Sequence, residues 1–327
     1  MEIGKLPESV LKRSVFKQLH TTRPEVLQGA GVGEDCALLQ LAEDEMFVVS
    51  TDPITAASKD AGRLAIRVTL NDLATTGAEP VAVLVTALLT PEITEPEIRE
   101  LIGQLEEECA KSNVQIVGGH TEVTDVVRQP LLSITGIGKV KKDHYLLTGG
   151  SKPGDDIIIT KWIGLEGTSI IAKEKEEKLA ERLPKDLIRT GQDVDQYLSI
   201  LPEAQIAVEC GAHAMHDITE GGVFGALWEV AESAGLGLDI DLLKIPVRQE
   251  TIEVCEVFGI NPYELISSGS LLVTTPDGTG LIRALEDAGI SAAIIGKMTD
   301  GNDRIIRNGE DRRYLEPPKT DEIYKVV

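Results

Sequence analysis

Acidic and polar side chains recur in this sequence where a strand or turn is predicted to meet a helix. Five such clusters are Glu34-Asp35, Thr51-Asp52, Asn71-Asp72, His120 with Glu122, and His216-Asp217. One cluster alone is typical of a helix cap or a solvated turn, so the argument depends on their repetition. If Asp35, Asp52 and Asp72 converge, they repel one another by several kcal/mol per close pair, and convergence then requires a cation. Carboxylates with water and phosphate ligands fit Mg²⁺ rather than zinc.

Common catalytic and metal-binding motifs are absent from the sequence. The histidines show neither H-E-x-x-H nor a Cys/His zinc spacing. Neither G-x-S-x-G nor Walker A occurs, which excludes an ordinary P-loop NTPase. The four cysteines lie far apart without a C-x-x-C and are interpreted as buried free thiols: Cys36, Cys109, Cys210 and Cys255.

Local patterns predict the elements that would position these carboxylates. The short β-rich run Met46–Val49 predicts a strand that ends at Ser50-Thr51-Asp52. Apolar residues at helical spacing predict a helix over Ala61–Leu73, which carries Asn71-Asp72. Further strands are predicted at Val81–Leu88, Val114–Val117 and Leu131–Val140, and a further helix over Thr94–Ser112. Strands and helices in this order indicate an α+β first domain.

Composition and turn residues predict a second domain and two terminal segments. Lys141–Asp156 is basic and then rich in Gly and Pro, which is typical of a domain boundary. The Gly221-Gly222 turn, at the start of a helix predicted over Val223–Ala234, presents N–H groups that suit an anion. The predicted parts are an N-terminal helical segment over 1–28, a first domain over 29–148, a second domain over 149–300 and a charged tail over 301–327.

The charge and hydropathy of the 327-residue chain exclude several classes of partner. A formal net charge of −22 makes a general attraction to nucleic acid unlikely. No apolar run approaches the roughly 18 residues of a membrane helix, and the first residues lack the apolar stretch of a signal peptide. We therefore expect a cytoplasmic protein that binds neither nucleic acid nor membrane.

Six motifs, taken in order, resemble those of the aminoimidazole ribonucleotide (AIR) synthetase-related superfamily, and most closely its HypE-like hydrogenase maturation factors. They are Gly33-Glu-Asp35, Ser50-Thr-Asp52, Asn71-Asp-Leu-Ala74 with Gly77-Ala78-x-Pro80, Gly118-Gly-His-Thr121, Lys152-Pro-Gly-Asp155 and His216-Asp-x-Thr-x-Gly-Gly222. The resemblance covers roughly residues 29–300. It implies a two-domain AIR synthase-like fold, with an N-terminal sheet that forms a barrel with a dimer mate and a C-terminal α/β sandwich.

The resemblance also implies ATP and Mg²⁺ as cofactors, a homodimer, and activation of an amide or carboxamide-type oxygen by phosphorylation in hydrogenase maturation. The acceptor would be a small molecule or a protein-bound group, and hydrogenase maturation proteins would be partners. By this resemblance Asp35, Asp52 and Asp72 are Mg²⁺–phosphate ligands, and His120 and Asp217 are catalytic candidates. The implied nucleotide contacts are Thr51, Asn71, Gly118, Gly119, Gly221 and Gly222.

The sequence departs from the HypE pattern at three places. The tail Asp321–Val327 has no cysteine, the N-terminal Gly-rich loop is missing, and position 120 is His rather than Asp, as in selenophosphate synthetase-like members. Two alternatives therefore stay open. One is a nucleotide-binding maturation or regulatory partner with little turnover, and the other is a small-molecule phosphotransferase of the thiamine-monophosphate kinase or selenophosphate synthetase type.

Overall fold

The computed structural model describes residues 4–5, 8–30, 36–54, 60–317 and 319–326. The chain divides into two compact units, of which unit 1 takes in Met1–Ala74 with Ala78–Tyr145, and unit 2 takes in Thr75–Gly77 with Leu146–Val327. Both units mix helices with a sheet. Within the described residues, no helix combines the length and the apolar character needed to cross a membrane.

Unit 1 is built on a five-stranded sheet and a separate two-stranded sheet. The strands are β1 (Gly4–Lys5), β2 (Val26–Gln28), β3 (Leu38–Leu39), β4 (Glu45–Ile54), β5 (Glu79–Leu89), β6 (Gln115–Val123) and β7 (Leu131–Lys141). The larger sheet has the order β1-β6-β5-β7-β4, and β2 pairs with β3. Only β5 and β6 run parallel, because the helix between them returns the chain to the same end of the sheet. Strand β4, which carries Asp52, lies at the edge of the sheet.

Two helices provide the buried face of unit 1. Helix α2 (Ala61–Thr75) buries Ile66, Leu70 and Leu73 completely or nearly so, which matches its predicted apolar spacing. Helix α3 (Glu95–Lys111) begins with a capping box, in which Thr94 and Glu97 satisfy each other's backbone N–H groups, and its acidic first turn complements the helix dipole.

The predicted helical segment over 1–28 is only partly helical. Helix α1 (Glu8–Val10) continues into a π-helical turn, Leu11–Val15, and a 3₁₀ turn, Phe16–Gln18. Val26–Gln28 is instead strand β2, because it pairs with β3 to form the small sheet. The predicted range was wrong at residues 26–28, which follow Pro24 and form a strand through pairing with β3.

Unit 2 is built on a seven-stranded sheet in the order β14-β13-β10-β12-β8-β11-β9. The strands are β8 (Asp156–Thr160), β9 (Ala214–Asp217), β10 (Gly237–Asp241), β11 (Leu271–Thr275), β12 (Ala292–Thr299), β13 (Arg304–Asn308) and β14 (Asp311–Tyr314). All neighbours are antiparallel except β10 and β13. The sequence placed β13 and β14 in a charged tail that starts at residue 301, but both belong to the sheet.

Among the described residues of unit 2, seven α-helices accompany the sheet. They are α4 (Leu165–Glu174), α5 (Glu176–Ala180), α6 (Lys185–Gln192), α7 (Leu201–Glu209), α8 (Gly222–Ala234), α9 (Gln249–Phe258) and α10 (Gly278–Asp287). Helix α8 packs on the sheet through Val223, Leu227 and Val230, in a core that also contains Ile157 and Leu272. With few aromatic residues, this core is made mainly of Ile, Leu, Val and Ala.

All four cysteines are free thiols. Cys109 and Cys255 are buried as predicted, and burial raises the pKa of the Cys255 thiol to about 12. Cys36 and Cys210 are exposed, so the prediction of burial was wrong for these two.

Candidate functional site

Strand β4 and helix α2 bring two of the three predicted Mg²⁺ ligands to one side of the unit 1 sheet. The Ser50 hydroxyl donates a hydrogen bond to the Asp72 carboxylate, which joins β4 to α2. Asp52 lies two residues after Ser50 on the same strand, so both side chains project from the face that α2 contacts. The strand does not end at Ser50-Thr51-Asp52 as predicted, because it continues to Ile54 through pairing with β7.

One oxygen of the Asp52 carboxylate is buried without a hydrogen-bond partner. A buried carboxylate oxygen without a partner is costly, and a cation is the partner that best compensates it. Mg²⁺ is commonly held by one or two carboxylates together with phosphate oxygens, so Asp52 and Asp72 fit such an ion. Asp35, the third predicted ligand, lies outside the described residues. Among the residues that the structure describes, no group of three or more His, Cys, Asp or Glu side chains could hold a metal ion.

Thr51 and His120 lie on the opposite face of the same sheet. Thr51 pairs in register with Thr135, to which its hydroxyl is hydrogen-bonded at 3.0 Å, and it also donates to the Ile134 carbonyl at 3.1 Å. The register continues across β7 and β5 so that Ser133, Thr86 and His120 follow one another on this face. We call this face, which does not contact α2, the open face.

His120 is held by a neighbour on the open face. Its Nε2 atom lies 2.8 Å from a Glu122 carboxylate oxygen, and both side chains are partly exposed. A carboxylate in this position orients the imidazole ring, as it does for catalytic histidines. His120 therefore lies on one face of the sheet, and Asp52 and Asp72 lie on the other. The catalytic role of His120 stays a prediction.

Backbone geometry and close packing explain the two glycines before His120, Gly118 and Gly119. Gly119 has φ +139°, and a Cβ atom there would lie 1.9 Å from the Val85 carbonyl oxygen on β5. A Cβ on Gly118 would lie 3.1 Å from a Leu84 methyl group. Close approach of β5 and β6 therefore explains Gly119 without a nucleotide, and its predicted contact with a cofactor stays a prediction. Asn71 is completely buried within α2.

In unit 2, the predicted anion-binding turn already holds a carboxylate of the same chain. Gly221 and Gly222 both have positive φ, and a Cβ on Gly222 would lie 2.5 Å from the Tyr263 carbonyl oxygen, so the turn requires glycine. The Gly221 N–H donates a 2.7 Å hydrogen bond to Asp321, from the C-terminal end of the chain. Asp217, at the end of β9, is 6% exposed. The turn does attract an anion, but the anion in this structure is Asp321.

Sequence reasoning missed two carboxylates close to this turn. Asp321 was assigned to a tail, and Glu166 was not singled out. Glu166 is 4% exposed, and its burial, followed by the charges of Asp321 and Asp217, raises the pKa of its carboxyl to about 7. An acidic residue between Leu165 and Gly167 in an apolar segment is a signal that could have marked Glu166.

Two models of one family match the chain. The model for the N-terminal domain of AIR synthase related proteins matches residues 33–140, and the model for the C-terminal domain matches residues 152–307. Together the two models cover most of the chain. Their limits fall within the two structural units.

Related proteins match most of this chain at low sequence identity. A putative hydrogenase expression/formation protein of Methanocaldococcus jannaschii is 27% identical, over 99% of this chain and 97% of the relative. Carbamoyl dehydratase HypE of Rhodobacter capsulatus is 28% identical, over 87% of this chain and 82% of the relative. The crystal structure of hydrogenase maturation protein HypE in complex with ATP superposes with a TM-score of 0.83 at 20% identity, covering 99% of this chain and 97% of that one. That likeness shows a shared fold.

Proposed function

The chain belongs to the AIR synthase related family, and from this premise we propose that it is an ATP- and Mg²⁺-dependent enzyme of hydrogenase maturation. Its reaction would be the activation of a carboxamide oxygen by phosphorylation. The observation that carries the proposal is the hydrogen bond from Ser50 of β4 to Asp72, on the face of the sheet where one Asp52 oxygen is buried without a partner. The relatives named as a hydrogenase expression/formation protein and as a carbamoyl dehydratase support the substrate class.

The proposed reaction removes the elements of water from a carboxamide, and the γ-phosphoryl group of ATP takes up the carboxamide oxygen. The γ-phosphoryl group is transferred to the carboxamide oxygen, and ADP leaves. Breaking the carbon–oxygen bond then releases phosphate, while the nitrogen gives up its two protons and a nitrile carbon–nitrogen bond forms. Phosphoryl transfer of this kind depends mainly on positioning and charge neutralisation.

Asp52 and Asp72 are the residues of unit 1 that would hold Mg²⁺ in this proposal. When bound, the ion would neutralise the phosphate charge and orient the γ-phosphoryl group. Ser50 would keep the Asp72 carboxylate in place through its hydrogen bond. The proposal includes Asp35 as a third ligand but not His120, which the sheet separates from Asp52 and Asp72 of the same chain.

Calorimetry and product analysis test the proposal directly. We expect ATP to bind only when Mg²⁺ is present, and ADP to form faster when a carbamoyl thioester or peptide carboxamide is added. Binding without any ADP formation would favour the alternative of a nucleotide-binding maturation partner. Absence of ATP binding in the presence of Mg²⁺ would contradict both functions.

We also propose that the open face of the unit 1 sheet is covered by a second copy of the chain. Phe47 and Val49 project from this face of edge strand β4 and are 52% and 63% exposed. Large apolar side chains on an edge strand are unfavourable in water unless another surface covers them. The family resemblance supports a barrel formed by two such sheets.

Replacing Phe47 by glutamate is expected to convert a dimer into a monomer, because it would bury a carboxylate in the apolar centre of the contact. Light scattering coupled to size exclusion reads the mass directly. Leu243→Glu is the matched control, since Leu243 is a 74% exposed apolar residue of unit 2. A native protein that is already monomeric, or a Phe47→Glu variant that stays dimeric, would overturn this interface.

A further inference from the structure

The last residues of the chain are anchored in unit 2 on both sides of the glycine turn. Leu315 is buried in the core that contains α8, and Ile323 is buried in a second cluster with Ile171, Val254 and Leu265. Between these anchors, Asp321 starts a 3₁₀ turn, Glu322–Lys325. We call residues 320–325 the strap.

The strap inserts a carboxylate into the interior. Asp321 is 1% exposed, and it accepts hydrogen bonds from the Gly221 N–H at 2.7 Å and from the Ile323 N–H at 2.8 Å. Burial raises the pKa of Asp321 although these backbone N–H groups oppose the shift. Burial therefore disfavours the charge of Asp321 in this place, while the two backbone N–H groups favour it.

Glu166 is a second carboxylate buried close to Asp321. It is held by Ser268, and its Oε2 atom is buried without a hydrogen-bond partner. In the part of the chain that the structure describes, the two charged groups that shift the Glu166 pKa are both acidic, namely Asp321 of the strap and Asp217 of β9. Glu322 adds a further negative charge beside Asp321, and Lys325 lies 2.5 Å from Glu322. An ionised Glu166 would thus repel the strap.

We propose that the strap is a pH-sensitive latch, which stays on the glycine turn while Glu166 is uncharged and releases the turn when Glu166 loses its proton. Release moves Asp321 into water and relieves its repulsion with Glu166. It also frees the Gly221 N–H at the start of α8, so that an external anion can bind there. A pocket beside Gly221 is lined by Arg313 and Lys319, and also by the carboxylates of Glu264 and Glu316.

The direction of the pH dependence follows from the raised pKa of Glu166. Burial and the strap charge raise this pKa to about 7, and release of the strap lowers it towards the ordinary value. Protonation therefore favours the closed strap, which is fully stabilised at low pH and loses that stabilisation as the pH rises through about 7. If release lowers the pKa by one unit, the equilibrium constant for release rises about tenfold.

Hydrogen exchange of the full chain at about pH 6 and about pH 8.5 tests the latch. The peptides to follow contain the Gly221 and Ile323 amides, because both amides are bonded to Asp321 in the closed strap. The Glu166→Gln variant, measured at each pH, removes the intrinsic effect of pH on exchange. We expect equal exchange at the lower pH and about tenfold faster exchange in the native protein at the higher pH.

Two further variants make the test specific. Glu316→Gln changes an exposed carboxylate of the same C-terminal segment and should keep the native pH dependence. Asp321→Asn removes the charge of the strap, so its exchange, divided by the rate of an unfolded peptide at each pH, should depend on pH less than native exchange does, even if Glu166→Gln fails to fold. The latch would be overturned if the ratio of the native exchange rate to the Glu166→Gln exchange rate were the same at both pH values. It would also be overturned if the exchange rates of the Gly221 and Ile323 amides did not change together. None of these results depends on ATP turnover.

Discussion

Replacing Asp52 by asparagine is expected to weaken Mg²⁺-dependent ATP binding strongly and, at the same time, to stabilise the free protein. The buried oxygen of Asp52 has no hydrogen-bond partner, so its charge destabilises the protein while no cation is bound. Asparagine keeps the shape of the side chain and removes the charge. Losing one charged ligand should weaken binding by about 3 kcal/mol, or roughly a hundredfold in the dissociation constant.

Two measurements on the same variant separate these effects. Without ligand, denaturant unfolding should show a gain of about 1–2 kcal/mol for Asp52→Asn. With Mg²⁺ and ATP, the native protein should gain thermal stability and the variant should not. Asp44→Asn is the control, because Asp44 is an exposed aspartate on the neighbouring turn and should behave like the native protein. A variant that loses stability without ligand and still binds Mg²⁺ and ATP would show that Asp52 is a structural residue.

Elements whose pattern is local were predictable from the sequence. Helix α2 was predicted at Ala61–Leu73 and ends at Thr75, and strand β7 was predicted at Leu131–Val140 and ends at Lys141. In both, apolar residues repeat with the period of the element, and the core confirms this because those residues are buried. The fold class, mixed helix and sheet in two units, follows from the order of such elements.

Elements that depend on distant partners were not predictable. Strand β13 reads as a charged segment, yet it pairs in parallel with β10, and Ile305 and Ile306 are buried by that pairing. Strand β14 is exposed along its whole length, so its sequence shows no apolar alternation and only its pairing with β13 defines it. Pairing with the distant strand β10 decided β13, and β14 depends in turn on its hairpin with β13.

The same distinction applies to the candidate site. The elements that carry Asp52 and Asp72 could be predicted, because each has a recognisable local pattern. Only the strand register shows that Thr51 and His120 lie on the open face. The bond between Gly221 and Asp321 joins residues 100 positions apart, and no local pattern indicates it. The sequence showed where an anion could bind, but not that the chain supplies one.

Replacing Lys161 by methionine is expected to destabilise unit 2 by about 3–5 kcal/mol, because it leaves a buried charge without a partner. The Lys161 ammonium lies 2.5 Å from a Glu203 carboxylate oxygen, and the two side chains are 9% and 2% exposed. Lys161 also donates to the Tyr197 and Ser199 carbonyl oxygens at 2.8 and 2.6 Å. Methionine fills a similar volume but satisfies none of these acceptors.

Urea unfolding of Lys161→Met, Glu203→Gln and the double variant measures this interaction as a double-mutant cycle. The double variant should recover part of the loss, since it no longer contains an unpaired buried charge. Lys173→Met is the matched control, because Lys173 pairs with Asp195 where both side chains are about one-third exposed, and it should cost less than about 1 kcal/mol. If Lys161→Met cost no more than Lys173→Met, the buried ion pair would not stabilise unit 2. If the single losses simply added in the double variant, Lys161 and Glu203 would not be coupled.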